Sequence, residues 1–288
     1  MRKPRYAGLF YEKGEVSLKK QLRECFEGPR GPGALPPERQ AEKKAALPQA
    51  VIAPHAGYQY SGACAAWSYK AMGEAPLADV YVILAPSHHG SSSGLTQQTF
   101  ETPLGLVRVD QDLARRLLEK GTIKENDAIH EQEHAIEVHL PFLQFIHQDV
   151  IERVKVLPLL VSQDVDLQQL AVDLKEVLVD TEKKAVIIAS SDFTHYGRHY
   201  HYVPFEENAQ EQIAALDKGA IDFIKTRDHE GFLQYVGDKS ATICGAHPIA
   251  LLLRLVKPGD VLLEQYYTSA AITGDQKNSV SYASIVFM

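Results

Sequence analysis

Three stretches of this sequence deliver histidine in the same way. VIAPHAGY (51–58), YVILAPSHHG (81–90) and VIIASSDFTHY (186–196) each end a short aliphatic run in a small residue or proline. Directly after these runs come His55, the pair His88 and His89, and Asp192 with His195. A single His beside Pro or Gly is usually a turn or hydrogen-bonding residue. Random scatter of 12 histidines would rarely place three groups of them so close to the carboxyl ends of buried strands. Imidazole is the commonest metal ligand and the physiological acid/base. Neighbouring strand ends of a parallel sheet lie about 5 Å apart, so these rings can converge on one ion. Asp192 and His195 are three residues apart, a spacing that suits a carboxylate orienting an imidazole for proton transfer. The same spacing also suits a capping Asp beside a surface His.

Cys244 lies in TICGAHP, just before an apolar helical stretch. At a helix N-terminus the macrodipole would lower its pKa and favour thiolate. The alternative is a buried, inert small hydrophobe, which is how Cys25 and Cys64 read. One further pattern, His130-Glu131-Gln132-Glu133-His134, matches the HExxH of zinc proteases, in which both His face one side of a helix. Here KEND (124–127) precedes it, which reads as a loop entering a helix at about Glu133, with no apolar scaffold to hold His130. The match reads as coincidence, and zinc hydrolysis is a third reading. GxGxxG, GxxxxGK[ST] and GxSxG are all absent, which removes the anchors of nucleotide-binding and α/β-hydrolase readings.

The elements that must position these residues are set by periodicity. Continuous apolar runs suit strands buried on both faces of a parallel sheet covered by helices. In such sheets ligands bind beyond the carboxyl ends of the strands. Helical spacing predicts helices over 17–26, 61–72, 165–179, 205–218, 219–225 and 229–236, and a helical stretch opening at Cys244. Strands are expected at 79–86, 154–161, 185–190, 261–268 and 279–287. A hairpin at 99–110 turns around Pro103-Leu104-Gly105, and Asp110 is placed to cap a helix through Lys120. Residues 134–146 have helical periodicity interrupted by Pro141, and 191–204 read as a polar, aromatic loop. The Pro-, Gly- and charge-rich 28–48 reads as an exposed, mobile loop. Strand and helix alternate without a composition shift or an internal repeat, so one α/β domain over 1–288 is expected.

Composition excludes some partners. Apolar residues make up 45% and charged residues 23%, ordinary for a globular chain. A net charge of −7 with no basic cluster gives no electrostatic reason to expect nucleic acid. No apolar run approaches the roughly 18 to 20 residues of a membrane span. The N-terminus lacks a signal-peptide core, and the 3 cysteines have no CxxC spacing. Both features point to a reducing, cytoplasmic setting.

At VIAPHAGY, APSHH, EHAIEVHLPFL, SSDFTHYG and TICGAHPI the sequence resembles the Memo family, related in fold to the class III extradiol (LigB-type) dioxygenases. The likeness runs from about Ala7-Gly8 to NSVSYAS (278–284). It implies one α/β domain, a mainly parallel central sheet flanked by helices, and a metal pocket at the strand ends. It also implies that His55, His88 and Cys244 bind the metal, while Asp192 and His195 line the pocket with His195 as acid/base. Glu133, His134, Glu137 and His139 match the shared segment EHxIExHLP, whereas His130 has no counterpart. His89, His134, Glu133, Tyr58 and Tyr196 are expected to form the surrounding shell, the two tyrosines lining the substrate space.

The dioxygenases use two His and one carboxylate around Fe(II), leaving open positions for a diol and dioxygen. In this chain a cysteine stands where that carboxylate belongs, and a thiolate accepts softer metals. The resemblance therefore implies an iron or copper ion, with zinc also compatible. Animal relatives are linked to phosphotyrosine-peptide binding and cell motility. Prokaryotic homologues belong with radical-SAM and AMMECR1-like proteins in the AmmeMemoRadiSam grouping, as its protein B. Two expectations from different classes result. One is a non-haem metal-dependent oxidoreductase acting on a small molecule. The other is a module that keeps the pocket to bind a peptide or a partner protein. A homo-oligomer is compatible with either.

Overall fold

The computed structural model describes residues 1–288. Ten strands form one sheet: β1 (Ala50–Ala53), β2 (Val80–Ala85), β3 (Gly94–Leu95), β4 (Phe100–Thr102), β5 (Gly105–Val109), β6 (Lys155–Leu160), β7 (Ala185–Ser190), β8 (His195–Gly197), β9 (Val261–Thr268) and β10 (Asn278–Phe287). Five are parallel neighbours in the order β5-β6-β2-β7-β1. β10 then adds antiparallel to β1 and carries β8 and β9 on its own flanks. β3 and β4 pair antiparallel to β6 and β5.

The helices are α1 (Glu15–Glu27), α2 (Ala63–Glu74), α3 (Gln111–Lys120), α4 (Asp127–Glu131), α5 (Leu140–Ile146), α6 (Leu167–Asp180), α7 (Ala209–Thr226), α8 (His229–Asp238), α9 (Ala246–Leu255) and α10 (Ala270–Thr273). α1, α2 and α5 pack together, with α2 over β1 and β10; α3, α6, α8 and α9 pack together, with α9 over β2 and β7. Every residue of β1 and β2 is buried. Successive strand side chains point to opposite faces, so complete burial means that helices cover both sides. A single cluster of 69 buried apolar residues runs through both layers, giving one core and an α/β fold with a mostly parallel sheet. No helix is long and apolar enough to cross a membrane.

Four elements depart from the sequence expectation. First, 205–218 and 219–225 are not separate helices; α7 runs through both. Gly219 does not break it, because a Cβ there would collide with the Tyr235 hydroxyl, so the glycine serves the close approach of α7 and α8. Second, Pro141 does not interrupt a helix over 134–146 but lies at the start of one. Residues 132–136 are irregular, Glu137–His139 form a 3-10 turn, and α5 begins only at Leu140. Pro141 thus sits in the first helical turn, where its missing N–H removes no bond. Third, the 28–48 stretch lacks regular structure beyond the 3-10 turn Gln40–Glu42, yet it is tied down rather than simply exposed. The Arg30 carbonyl accepts from Trp67 Nε1 and Gln265 Nε2, and the buried Lys43 ammonium donates to the Ile146 carbonyl at the end of α5. Fourth, the polar loop before Pro204 contains β8, which extends the sheet edge alongside the site.

Candidate metal centre

β2, β7 and β1 are consecutive in the sheet, and the chain leaves all three at the same edge. His55 comes two residues after β1, and its peptide N–H donates to Asp192 Oδ1 at 2.9 Å, so the turns after β1 and β7 are locked together. The His55 ring lies with Nδ1 2.7 Å from Ser190 Oγ. The Ser190 hydroxyl spends its own proton on the Ala135 carbonyl, 2.7 Å away, so here it accepts. His55 therefore carries its proton on Nδ1 and presents the Nε2 lone pair to the site. The same device is repeated across the cleft. Glu133 accepts the His88 peptide N–H at 2.6 Å and His88 Nδ1–H at 2.9 Å, and His134 Nδ1 lies 3.2 Å from the same Oε1.

One carboxylate thus aims the His88 ring and lies beside that of His134. His88 and His134 stack at 4.7 Å with 23° between planes, and both meet His55 edge-on, at 5.1 and 5.3 Å. One nitrogen from each of the three lies within 4.8 Å of the others. Cys244 lies outside this group of three but beside its buried member, with Sγ 3.2 Å from His55 Nε2. Metal–nitrogen and metal–sulfur bonds of about 2.1 and 2.3 Å put two donors of one ion roughly 3 to 3.5 Å apart. The Cys244–His55 pair already has that spacing, so these residues fit a metal ion. The His88 side chain is 30% exposed while Glu133 behind it is 1% exposed, so the centre opens to solvent on the His88 side.

Electrostatics favour ligand-ready imidazoles. Burial, reinforced by the neighbouring histidines, holds His55 well below its usual range, and burial lowers His134 to about 4. Burial alone would raise Glu133. The His88 ring hydrogen bond, the His88 charge and the His88 and Ala135 peptide N–H groups outweigh it and hold the carboxyl at about 2. Cys244 departs from the thiolate reading and follows the buried one. It lies before α9, next to the Gly245 cap, but burial and then the Asp192 carboxylate push its thiol up, not down. Hydrogen bonding from the Asp192 peptide N–H at 3.3 Å does not offset them. An ion binding here would displace the thiol proton.

A model of Memo-like proteins matches residues 2–286. The chain belongs to the Memo family. MEMO1 family proteins of Methanothermobacter thermautotrophicus and Methanopyrus kandleri are 33% and 36% identical to it, each alignment covering 99% of this chain and 98–99% of the relative. One from Methanosarcina acetivorans is 38% identical over 99% of this chain and 98% of its own. Among solved structures, an uncharacterized protein from Escherichia coli K12 shares the fold, with TM-score 0.50 and 14% identity over 84% of this chain and all of that one.

The remaining Memo motif residues divide into those at the centre and those that serve the scaffold. His195 is at the centre's edge. Its Nδ1 is 2.9 Å from both the Phe193 and Thr242 carbonyls, so that nitrogen carries the proton and Nε2 is left as a base. Asp192 does not orient it, contrary to the three-residue spacing argument; its Oδ1 is committed to the peptide N–H groups of His55 and Ala56. Burial raises the Asp192 carboxyl, opposed by the nearby His195 charge and those two N–H donors.

Both tyrosine hydroxyls are committed to backbone carbonyls. Tyr58 is buried, donates to the Val138 carbonyl and packs on Tyr11 and Phe142. Tyr196 alternates away from His195 along β8, stacks on Phe205 and donates to the Phe205 carbonyl. His89 is exposed and outside the imidazole cluster. The HExxH geometry is absent. α4 ends at Glu131, and His130 is buried with Nε2 on the Gly94 carbonyl at 3.0 Å, while Glu133 and His134 serve the cluster. A scaffold does hold His130, against expectation, but it commits the ring to the Gly94 carbonyl, outside the imidazole cluster. Two residues at the centre have a larger part than the sequence implies. His134 faces the cluster rather than backing it, and Tyr200 sets its ring edge-on to His195 at 5.3 Å. Tyr200 ends the 3-10 turn Arg198–Tyr200, in a stretch whose sequence carries no periodic signal.

Proposed function

We propose that this Memo-family chain is a non-haem metal protein in which His55, His88 and Cys244 hold iron or copper for oxidoreductase chemistry. The observation that supports it most is the 3.2 Å approach of Cys244 Sγ to His55 Nε2, with His55 already fixed through Ser190. A thiolate beside two imidazoles selects soft or borderline metals, which favours copper and iron over magnesium or calcium. The ion would bind a substrate oxygen and exchange electrons with it. His195 Nε2 is the group placed to take or return a proton, and Tyr200 covers its ring. Asp192 keeps the His55 turn in register. Three cysteines without disulfide spacing suit the reducing cytoplasm such a thiolate needs.

The test is metal content after anaerobic purification. About one equivalent of redox-active metal is expected, lost in His55→Ala and in Cys244→Ser. Oxygen uptake is then screened over diols and thiols. Metal retained by both variants removes the assignment, and no uptake with any substrate removes the oxidoreductase part. In that last case the second reading stands, a peptide- or protein-binding module. It is favoured by the exposed mouth at His88 and Tyr200, and a His195→Ala variant would lose ligand binding without losing metal.

A further inference from the structure

The resemblance implies His55, His88 and Cys244 as ligands, but the group whose donor atoms lie within 4.8 Å of one another is His55, His88 and His134, with Cys244 beside His55. Resting on the metal-centre reading above, we infer that His134 is a fourth and exchangeable ligand, which closes the centre at rest and withdraws to admit substrate. His134 stands to His55 as His88 does: 5.3 Å and 84° against 5.1 Å and 80°. The His88 and His134 rings are near-parallel, and one nitrogen of each lies within 4.8 Å of the other and of a His55 nitrogen. No protein group hydrogen-bonds His134 Nε2, so that nitrogen is free to face the cluster.

His134 is also the donor least fixed to the sheet. The peptide N–H groups of His55 and His88 are held by Asp192 and Glu133 carboxylates. That of His134 is not, and residues 132–136 belong to no helix or strand. What holds the ring is the N-terminal segment, with Phe10 at 4.6 Å and Tyr6 at 5.4 Å between ring centres. That segment is itself strapped to Glu137, which accepts from the Tyr6 peptide N–H and the Tyr11 hydroxyl, both at 2.8 Å. Four protein donors describe a closed site, whereas catalytic sites keep a position open. Rotation of His134 away from the cluster supplies that position without disturbing the two strand-end histidines.

Cobalt(II) tests this, because its visible absorption reports coordination number and its near-ultraviolet band reports thiolate. The wild type is expected to give the intense spectrum of four-coordinate cobalt with a sulfur band. His134→Phe, which keeps the stack on His88, should lose that intensity and bind cobalt at least about tenfold more weakly, as even outer-sphere partners are worth that much. The sulfur band should remain. Added imidazole should restore the spectrum in His134→Gly. Wild-type affinity and spectrum in His134→Phe would overturn the inference, as would a six-coordinate spectrum in the wild type. His55→Ala separates the two claims, since unchanged cobalt binding there removes the metal centre itself.

Discussion

Glu133 decides how well the centre is pre-organised. Its two oxygens receive the His88 peptide N–H, the His88 ring N–H and the Ala135 peptide N–H, with His134 Nδ1 3.2 Å away. Glu133→Gln replaces one acceptor by a donor, so an N–H group must face another N–H or an imidazole must change tautomer. Metal affinity should fall roughly 10- to 100-fold, the usual effect of losing a ligand's outer partner. Isothermal titration with cobalt measures it, and unchanged affinity would refute the aiming role. His55 and His88 are legible in the sequence because each comes straight after an apolar run whose direction is fixed. His134 and Tyr200 are not, because their roles depend on which rings meet them in space: His88 for the one, His195 for the other. The Asp192–His195 pairing fails for a related reason. Spacing fixes proximity along the chain, but the free N–H groups of the neighbouring His55 turn claim the carboxylate first.

At the scale of elements, the strands are easier to read than the segments that end on them. β2 and β7 lie within a residue of their expected bounds, since a buried run has no alternative environment. The helical periodicity over 134–146, read as interrupted at Pro141, is realised as an α-helix only from Leu140, because burial on all sides imitates helical periodicity before it. The 3-10 turn Glu137–His139 is instead held by buried side-chain bonds, Glu137 to Arg2 at 3.0 Å and His139 Nδ1 to the Tyr69 hydroxyl at 2.7 Å. The N-terminal segment thereby becomes part of the site. Phe10→Ala removes the ring packed on His134 without touching a ligand. The expected outcome is a lower proportion of four-coordinate cobalt with at most a small loss of affinity, read from the same absorption bands. A spectrum identical to wild type would mean that the segment does not position His134. Truncating a fully buried strand residue, as in Ile83→Ala, should instead cost about 2–5 kcal/mol of stability and leave the spectrum of the folded fraction intact.

Across the whole molecule, the parallel centre of the sheet is legible, but the antiparallel flank of β10 with β8 and β9 is not, because pairing partners are distant in sequence. Equally invisible is how many histidines the fold buries uncharged. Burial lowers His130 to about 4, and His139 and His147 to about 3. His147 is far from the metal centre. It bonds Tyr81 and Gln40, and Lys43 adds to the lowering while Asp149 opposes it. Each of these rings has a folded pKa below the unfolded value of about 6.5. Above that pH both states are uncharged and no penalty exists. As pH falls through 6.5 the unfolded chain gains protons that the folded chain refuses, and stability declines until about pH 3 to 4, where the folded rings also titrate. Glu133, depressed to about 2, adds a loss that begins near its ordinary range and is complete only below 2. The metal-free protein should therefore lose stability steeply between pH 6.5 and 4, measured as the denaturant midpoint at each pH. His147→Gln keeps a side chain able to bond Tyr81 and removes one refused proton. Its stability should fall less steeply by up to about 1.4 kcal/mol per pH unit over that window. An unaltered slope would mean that His147 charges freely in the fold, and that the buried network around Lys43 opens to water before the sheet does.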